Sequence, residues 1–150
     1  MKVFWVLLTC LSLPSAGLAQ SAEDSVKATI NVLFDGMRKA DATLLKSAFS
    51  PGGILQTISR NSDGNLNVVT ESLEDFAKFV SGVKKDSADE RIVFETVKID
   101  GPLAIAWTPY KFYLNGRFSH CGVNSFQLVR LDGAWKIQYI IDTRRRQACP

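Results

Sequence analysis

His120 is the only histidine among 150 residues, and imidazole is the one side chain whose ordinary pKa lies close to neutrality. It can give or take a proton, or hydrogen-bond a ligand, without special surroundings. Side-chain alternation sets Asn124 on the same strand face, Tyr113 across a tight turn and Arg145 on the following run. An amide, a phenol and a guanidinium thus gather round the imidazole. Asp142 is the nearest carboxylate, yet a strict count sets it opposite Val123 on the other face. Only a β-bulge would bring it round to act as a catalytic partner of His120; otherwise it pairs with Arg144 or with an arginine across an interface. A lone histidine can equally be a structural group bonded to a neighbouring strand, so ligand contact, catalysis and plain structure all stay open here.

The run Arg144-Arg145-Arg146, with Arg117 and Lys111, makes a basic cluster near the strand ends. Arg145 could hold a carboxylate or phosphate bidentately, although such a run also serves as a solvated strand end. Trp107, Tyr110 and Phe112 could stack on a flat heterocycle or pack the core. Nothing calls for a resident metal or cofactor. There is one histidine, no paired-cysteine motif, no dense carboxylate spacing, no glycine-rich phosphate loop and no nucleophile elbow.

Two β-hairpins must carry these residues. Leu103–Leu114 meets Asn115-Gly116, Arg117–Arg130 follows, and Asp132-Gly133 turns the chain into Ala134–Arg145. Asn-Gly and Asp-Gly between alternating apolar runs signal two-residue type I′ turns, whose central residues need positive φ. Upstream, Ser21–Ala40 places Val26, Ile30, Leu33, Phe34 and Met37 on one helical stripe. Asp41 can cap a short helix, Ala42–Phe49, that Ser50-Pro51-Gly52-Gly53 ends. Strand-like runs Ile54–Ser59 and Leu66–Thr70 precede a third helix, Leu73–Val83, capped by Ser72. Lys84–Glu90 reads as a charged loop, and Arg91–Ile99 returns to strand. Helices segregated from a run of antiparallel strands predict an α+β fold with the helices laid on one curved sheet.

Lys2 followed by the apolar stretch Val3–Leu13, a break at Pro14-Ser15 and the small residues of Gly17-Leu18-Ala19 has the form of a signal peptide. Residues 1–19 are expected to be a leader cleaved near Ala19, and the protein to be exported to the periplasm or beyond. The stretch falls short of the roughly 20 apolar residues of a membrane anchor. Residues 20–150 are about one domain's worth of chain, without repeat or linker. The net charge of +3, part of it in the leader, exerts no general pull on nucleic acid or membranes. Outside the leader the cysteines are Cys121 and Cys149. In an oxidising compartment they could pair, but the register leaves them too far apart unless the tail turns back.

The element order is similar to that of the nuclear transport factor 2-like superfamily, whose cone-shaped domains wrap a bent sheet around a long first helix. The closer resemblance is to an exported bacterial branch labelled "putative lumazine-binding". It rests on Leu33-Phe34-Asp35-Gly36-Met37, on Phe118-Ser119-His120-Cys121-Gly122, and on Gly133-Ala134-Trp135-Lys136-Ile137 followed by Ile141-Asp142-Thr143-Arg144-Arg145. The resemblance covers nearly all of the chain after the leader. It implies a cone-shaped pocket for a small organic molecule, a pteridine-like heterocycle by the branch's label, and commonly dimerisation through the sheet. It leaves activity open, because isomerases, dehydratases and plain binding subunits share the scaffold.

Counting through both turns sorts the sheet into two faces. The expected concave face carries Leu103, Ile105, Trp107, Tyr113, Phe118, His120, Asn124, Phe126 and Leu128, then Trp135, Ile137, Tyr139, Ile141, Thr143 and Arg145. Tyr139 opposite Phe126, and Ile137 opposite Leu128, would form its floor. The candidate ligand-binding set is therefore His120, Tyr113, Asn124, Tyr139, Arg145 and Trp107, with His120 and Asp142 the candidates for catalysis. The other face, with Ala104, Thr108, Tyr110, Val123 and Ile140 among polar residues, suits a homodimer interface. Pro109 cannot donate to the ladder and is expected at a bulge that would shift Ala104–Thr108. Three functions remain: a small-molecule binder, an acid–base enzyme built on His120, or an association module whose pocket its own side chains fill.

Overall fold

The computed structural model describes residues 21–150; the expected leader and its cleavage point lie outside the described residues. The elements are α1 (Ala22–Lys39), α2 (Ala42–Ser47), β1 (Phe49–Arg60), β2 (Leu66–Glu71), α3 (Leu73–Gly82), β3 (Ala88–Ile92), β4 (Thr96–Asp100), β5 (Leu103–Leu114), β6 (Arg117–Leu131) and β7 (Ala134–Thr143). The strands form one sheet in the order β2-β1-β7-β6-β5-β3, with β4 also paired to β5. Helices on one face of this sheet make the α+β fold that the sequence predicts. One pair departs from the expected antiparallel pattern: β1 runs parallel to β7.

Local signals explain the helices. Ser21, Asp41 and Ser72 cap α1, α2 and α3, each accepting from the backbone N–H three residues on. Val26, Ile30, Leu33, Phe34 and Met37 bury the apolar stripe of α1. Gly36 lets α1 and α2 touch, for a Cβ there would lie 2.6 Å from the Leu45 nitrogen. Phe49, expected to close the second helix, instead opens β1 and pairs with Ile137.

Both tight turns form as expected, with positive φ at Asn115, Gly116, Asp132 and Gly133. The register beyond them does not follow the simple count. Tyr113 faces Phe118 but Phe112 faces His120, so Ser119 is an extra residue in β6. Gln127 faces Tyr139 but Leu128 faces Ile137, so Gln138 is an extra residue in β7. Each bulge reverses the alternation beyond it.

The first bulge turns Ala104, Ala106, Thr108, Tyr110 and Phe112 inward, while Leu103, Ile105 and Trp107, expected inside, stand 41–47% exposed. The second brings Ile140, Asp142 and Arg144 round to the concave face and sends Tyr139, Ile141 and Arg145 outward. Ile137 does sit opposite Leu128, but Phe126 meets Ile140 rather than Tyr139.

Pro109 carries no bulge. It splits its partner instead: the expected strand Arg91–Ile99 is two strands, β3 and β4, separated opposite the residue that cannot donate. The expected loop Lys84–Glu90 ends in strand, and Glu90 pairs with Phe112.

After β7 the chain turns back. Arg145 bridges Cys121 through two backbone hydrogen bonds, its Nε donates to the Ala148 carbonyl at 2.8 Å, and Ala148 takes φ 49°. This reversal brings Cys149 to a Cα–Cα distance of 5.7 Å from Cys121, and the two form a disulfide. Closing a 28-residue separation restricts the unfolded chain. A Cys149→Ser variant is therefore expected to lose about 2–4 kcal/mol in urea unfolding. An unchanged midpoint under oxidising conditions would show that the bridge carries no stability.

Candidate functional site

Between the concave face, α1 and α3 lies an open cavity of about 290 Å³. It is not filled by the chain's own side chains. Leu33, Phe34 and Met37 of α1, Phe76 of α3, Phe112 and Ile140 make its apolar walls. Its polar end is built by Glu90, His120, Asn124, Asp142 and Arg144, with Glu71 and Thr57 at the β1–β2 side.

Asp142 is 7% exposed and is the best-held group of the site. Its carboxylate accepts from Tyr110 Oη at 2.8 Å, Thr57 Oγ1 at 2.5 Å and Arg144 Nε at 2.9 Å. Three donors satisfy most of what a carboxylate can accept. Its task in this arrangement is to fix Tyr110, Thr57 and Arg144 in place. Burial first, and the Asp142 charge second, push the Tyr110 phenol far above its ordinary range, so it stays a donor.

Glu90 is the group with chemistry to spare. Asn124 Nδ2 donates to its Oε1 at 2.8 Å, and Oε2 has no hydrogen-bond partner among the described residues. Enclosure by protein raises its pKa to about 7, helped by the Asp142 charge; the Asn124 bond and Arg144 oppose the shift without cancelling it. Some of its surface remains accessible, and the residue lines the cavity. Near neutral pH this carboxyl can therefore either donate or accept a hydrogen bond.

His120 moves the other way. Half-buried, it meets the Tyr110 ring edge-on at 5.7 Å and the Phe112 ring at 5.1 Å, with Nδ1 3.1 Å from Ser119 Oγ. Burial chiefly, then Arg144, lowers its pKa, with Asp142 opposing. This shift favours the neutral ring. Glu90, a residue that composition alone puts in a loop, thus joins His120 as a titrating group of the cavity.

Of the candidates named from sequence, the structure brings His120, Asn124 and Asp142 together in the cavity. The other four lie elsewhere. Tyr113 packs on Phe118 and under the Arg91 guanidinium, 4.3 Å from its ring centroid. Tyr139 is on the outer face and donates to Gln56 Oε1 at 2.7 Å. Trp107 is on the outer face, and Arg145 is at the tail outside the cavity lining. The bulges at Ser119 and Gln138 account for these positions. Glu90, Thr57 and Arg144 were not foreseen as site residues, and Tyr110, named as a stacking aromatic, instead lies outside the cavity lining and holds Asp142 through its hydroxyl. The one available signal was Asp142, conditional on a bulge that would carry Arg144 inward with it. Among the described residues no cluster of His, Cys, Asp or Glu is placed to hold a metal.

With this geometry in hand, comparison with known proteins places the chain. A family profile described as "Putative lumazine-binding" matches residues 21–139. The chain belongs to that family. Its fold is shared with a nuclear transport factor 2-like protein of unknown function from Shewanella baltica, at 15% identity and TM-score 0.64, over 83% of this chain and 94% of the other. A similar protein of unknown function from Methylobacillus flagellatus matches at 18% identity and TM-score 0.62, over 81% and 90%. A cystatin-like domain of unknown function from Nostoc punctiforme matches at 16% identity and TM-score 0.64, over 87% and 82%. These likenesses establish the nuclear transport factor 2-like fold of this lumazine-binding-family chain. No protein of curated function matches its sequence.

Proposed function

We propose that this protein is an exported domain that binds a small, flat organic molecule in the cavity, with a pteridine-like heterocycle as the occupant that the family description favours. The observation that carries the reading is the Glu90–Asn124 pair at the polar end of an aromatic-walled cavity. Fused-ring heterocycles present alternating N–H and C=O groups along one edge. A carboxyl that both donates and accepts, beside an amide, complements such an edge, and Phe34, Phe76 and Phe112 supply apolar surface for the ring faces. The leader-like start and the disulfide support export. No helix among the described residues is long and apolar enough to cross a membrane.

The test is a panel of pteridines, flavins and purines measured by thermal shift, since a ligand of the native state raises stability by RT ln(1 + [L]/Kd). At least one bicyclic compound is expected to raise the melting temperature. Asn124→Leu should weaken its binding by about 1–3 kcal/mol, the cost of leaving a partner unpaired. A flat response across the panel would defeat the reading. His120→Ala is expected to weaken binding only modestly. A second reading, an acid–base enzyme of the isomerase, dehydratase or hydrolase kind, is favoured by the pKa of Glu90 alone. It requires turnover of a bound compound that vanishes in Glu90→Gln or His120→Ala while binding persists.

The outer sheet face supports a homodimer as the assembled form. Ala104, Thr108, Tyr110 and Ile140 of the expected interface turn inward instead. Leu103, Ile105 and Trp107 are exposed on the outer face in their place, with half-buried Val123 and Ile141 and with Ser125 and Gln127 between them. Exposed large apolar side chains of this kind favour association. Trp107→Glu should shift sedimentation from dimer to monomer without lowering the melting temperature of the monomer. A wild-type protein that sediments as a monomer at tens of micromolar would exclude this interface.

A further inference from the structure

The three consecutive arginines after β7 do not share one environment. Arg144 turns into the cavity and is paired with Asp142. Arg145 and Arg146 enter no ion pair among the described residues. They line a second depression of about 240 Å³, together with Ser119, His120 and Arg144. His120 and Arg144 are common to both spaces. The cavity and the basic depression therefore adjoin across one imidazole and one guanidinium.

What holds this arrangement is specific to the local fold. The Ser119 bulge places a hydroxyl at the depression. The backbone bridge between Cys121 and Arg145, the Arg145 bond to the Ala148 carbonyl and the disulfide pin the tail beside β6. Chain entropy that would otherwise spread the guanidinium groups is already removed by these constraints. The depression offers two unneutralised arginines, a hydroxyl and an imidazole, and no carboxylate lines it. Such a donor set matches an oxyanion held by several charge-assisted hydrogen bonds.

We infer that the ligand is amphiphilic, a fused-ring body seated in the cavity and bearing an oxyanion group (carboxylate, sulfonate or phosphate) that passes His120 to reach Arg145 and Arg146. This rests on the cavity being a ligand site, as proposed above, and adds the charge and shape of the occupant. A neutral body alone would leave the basic depression unused. A free anion would have nothing to place it beside the cavity.

Two fluorescent probes that differ only in the anion test it: 8-anilinonaphthalene-1-sulfonate and its neutral parent, N-phenyl-1-naphthylamine. The sulfonate is expected to bind about tenfold more tightly to the wild-type protein, with an advantage that shrinks as salt rises. The double variant Arg145→Gln, Arg146→Gln should lose that advantage and leave the neutral probe's Kd unchanged. Arg146→Gln alone, which disturbs no tail contact, should lose part of it. Millimolar inorganic phosphate should weaken the sulfonate probe and spare the neutral one.

A neutral probe that binds as well as the sulfonate, or a sulfonate indifferent to both arginines, overturns the inference and leaves the cavity reading standing. Ile140→Trp, which fills the cavity, separates the two failures. It should abolish both probes in a protein whose circular dichroism is unchanged. Probes that survive it, or that never bind, overturn the cavity reading as well.

Discussion

Replacing Gly122 with alanine is expected to leave no folded protein with a cavity at 25 °C. Gly122 lies on the concave face between His120 and Asn124 and pairs with Tyr110 across the β5–β6 ladder. A Cβ built there would stand 1.7 Å from the Thr143 carbonyl oxygen and 2.9 Å from Tyr110 Cε1. The first contact is with backbone, so it cannot be relieved by turning a side chain. Relief requires moving the end of β7 or expelling the phenol, and either move breaks the Tyr110 bonds to Asp142 and to the Thr143 carbonyl. The buried carboxylate would then lose a donor. Overpacking and a disrupted buried network together place the cost above about 4 kcal/mol, in the range that unfolds a marginally stable domain. Near-ultraviolet circular dichroism and a urea midpoint decide it. A variant within about 1 kcal/mol of the wild type would mean that Tyr110 does not cross β6 at this point.

The second large effect is one of pH. The Glu90 carboxyl titrates near 4.5 when unfolded and about 7 when folded. Between these values the native state binds more protons than the unfolded state, so stability falls as pH rises and levels off above the folded pKa. The full difference is about 3 kcal/mol. Glu90→Gln keeps the shape and the Asn124 contact but removes the ionisation. It is expected to be about neutral at pH 4.5 and stabilising by up to that amount at pH 8. Glu71, also raised by burial, slopes in the same direction. His120 works against both: its lowered pKa means that stability is lost as pH falls through its unfolded value. Subtracting the Glu90→Gln curve from the wild type isolates the one carboxyl. A difference that is flat from pH 4.5 to 8 would mean that Glu90 is solvated and ordinary, and the donor–acceptor argument for the cavity would fall with it.

Both results depend on register, and register is where the sequence stops being legible. The helices, their caps and both type I′ turns were legible because each is written in local residue types: Ser21, Asp41 and Ser72, and the Asn-Gly and Asp-Gly pairs. The bulges were not, because nothing in Ser119 or Gln138 marks an inserted residue. What selects them is the fit of the finished core, where Phe126 must meet Ile140 and β5 must offer its alanines to the helices. One inserted residue reverses every later side chain. That exchanged Tyr139 for Ile140 and Arg145 for Arg144, and turned Trp107 outward. Glu90 was hidden for another reason: a charged segment is hydrophilic by composition whether it ends in solvent or against a cavity. His120 and Asn124 were found because they lie between the two bulges, where the count still holds.

The parallel pairing of β1 with β7 has a consequence for assembly. Every other neighbouring pair in the sheet is antiparallel, and β5, β6 and β7 follow one another through two tight turns. Those three strands can zip locally and quickly. β1 must instead find a partner more than eighty residues downstream, such as Thr57 beside Asp142. A search over that separation is slow. Thr57 and Leu55 are part of the cavity wall, so the enclosure exists only after the last strand has been made and captured, and a ligand can reward only that final event.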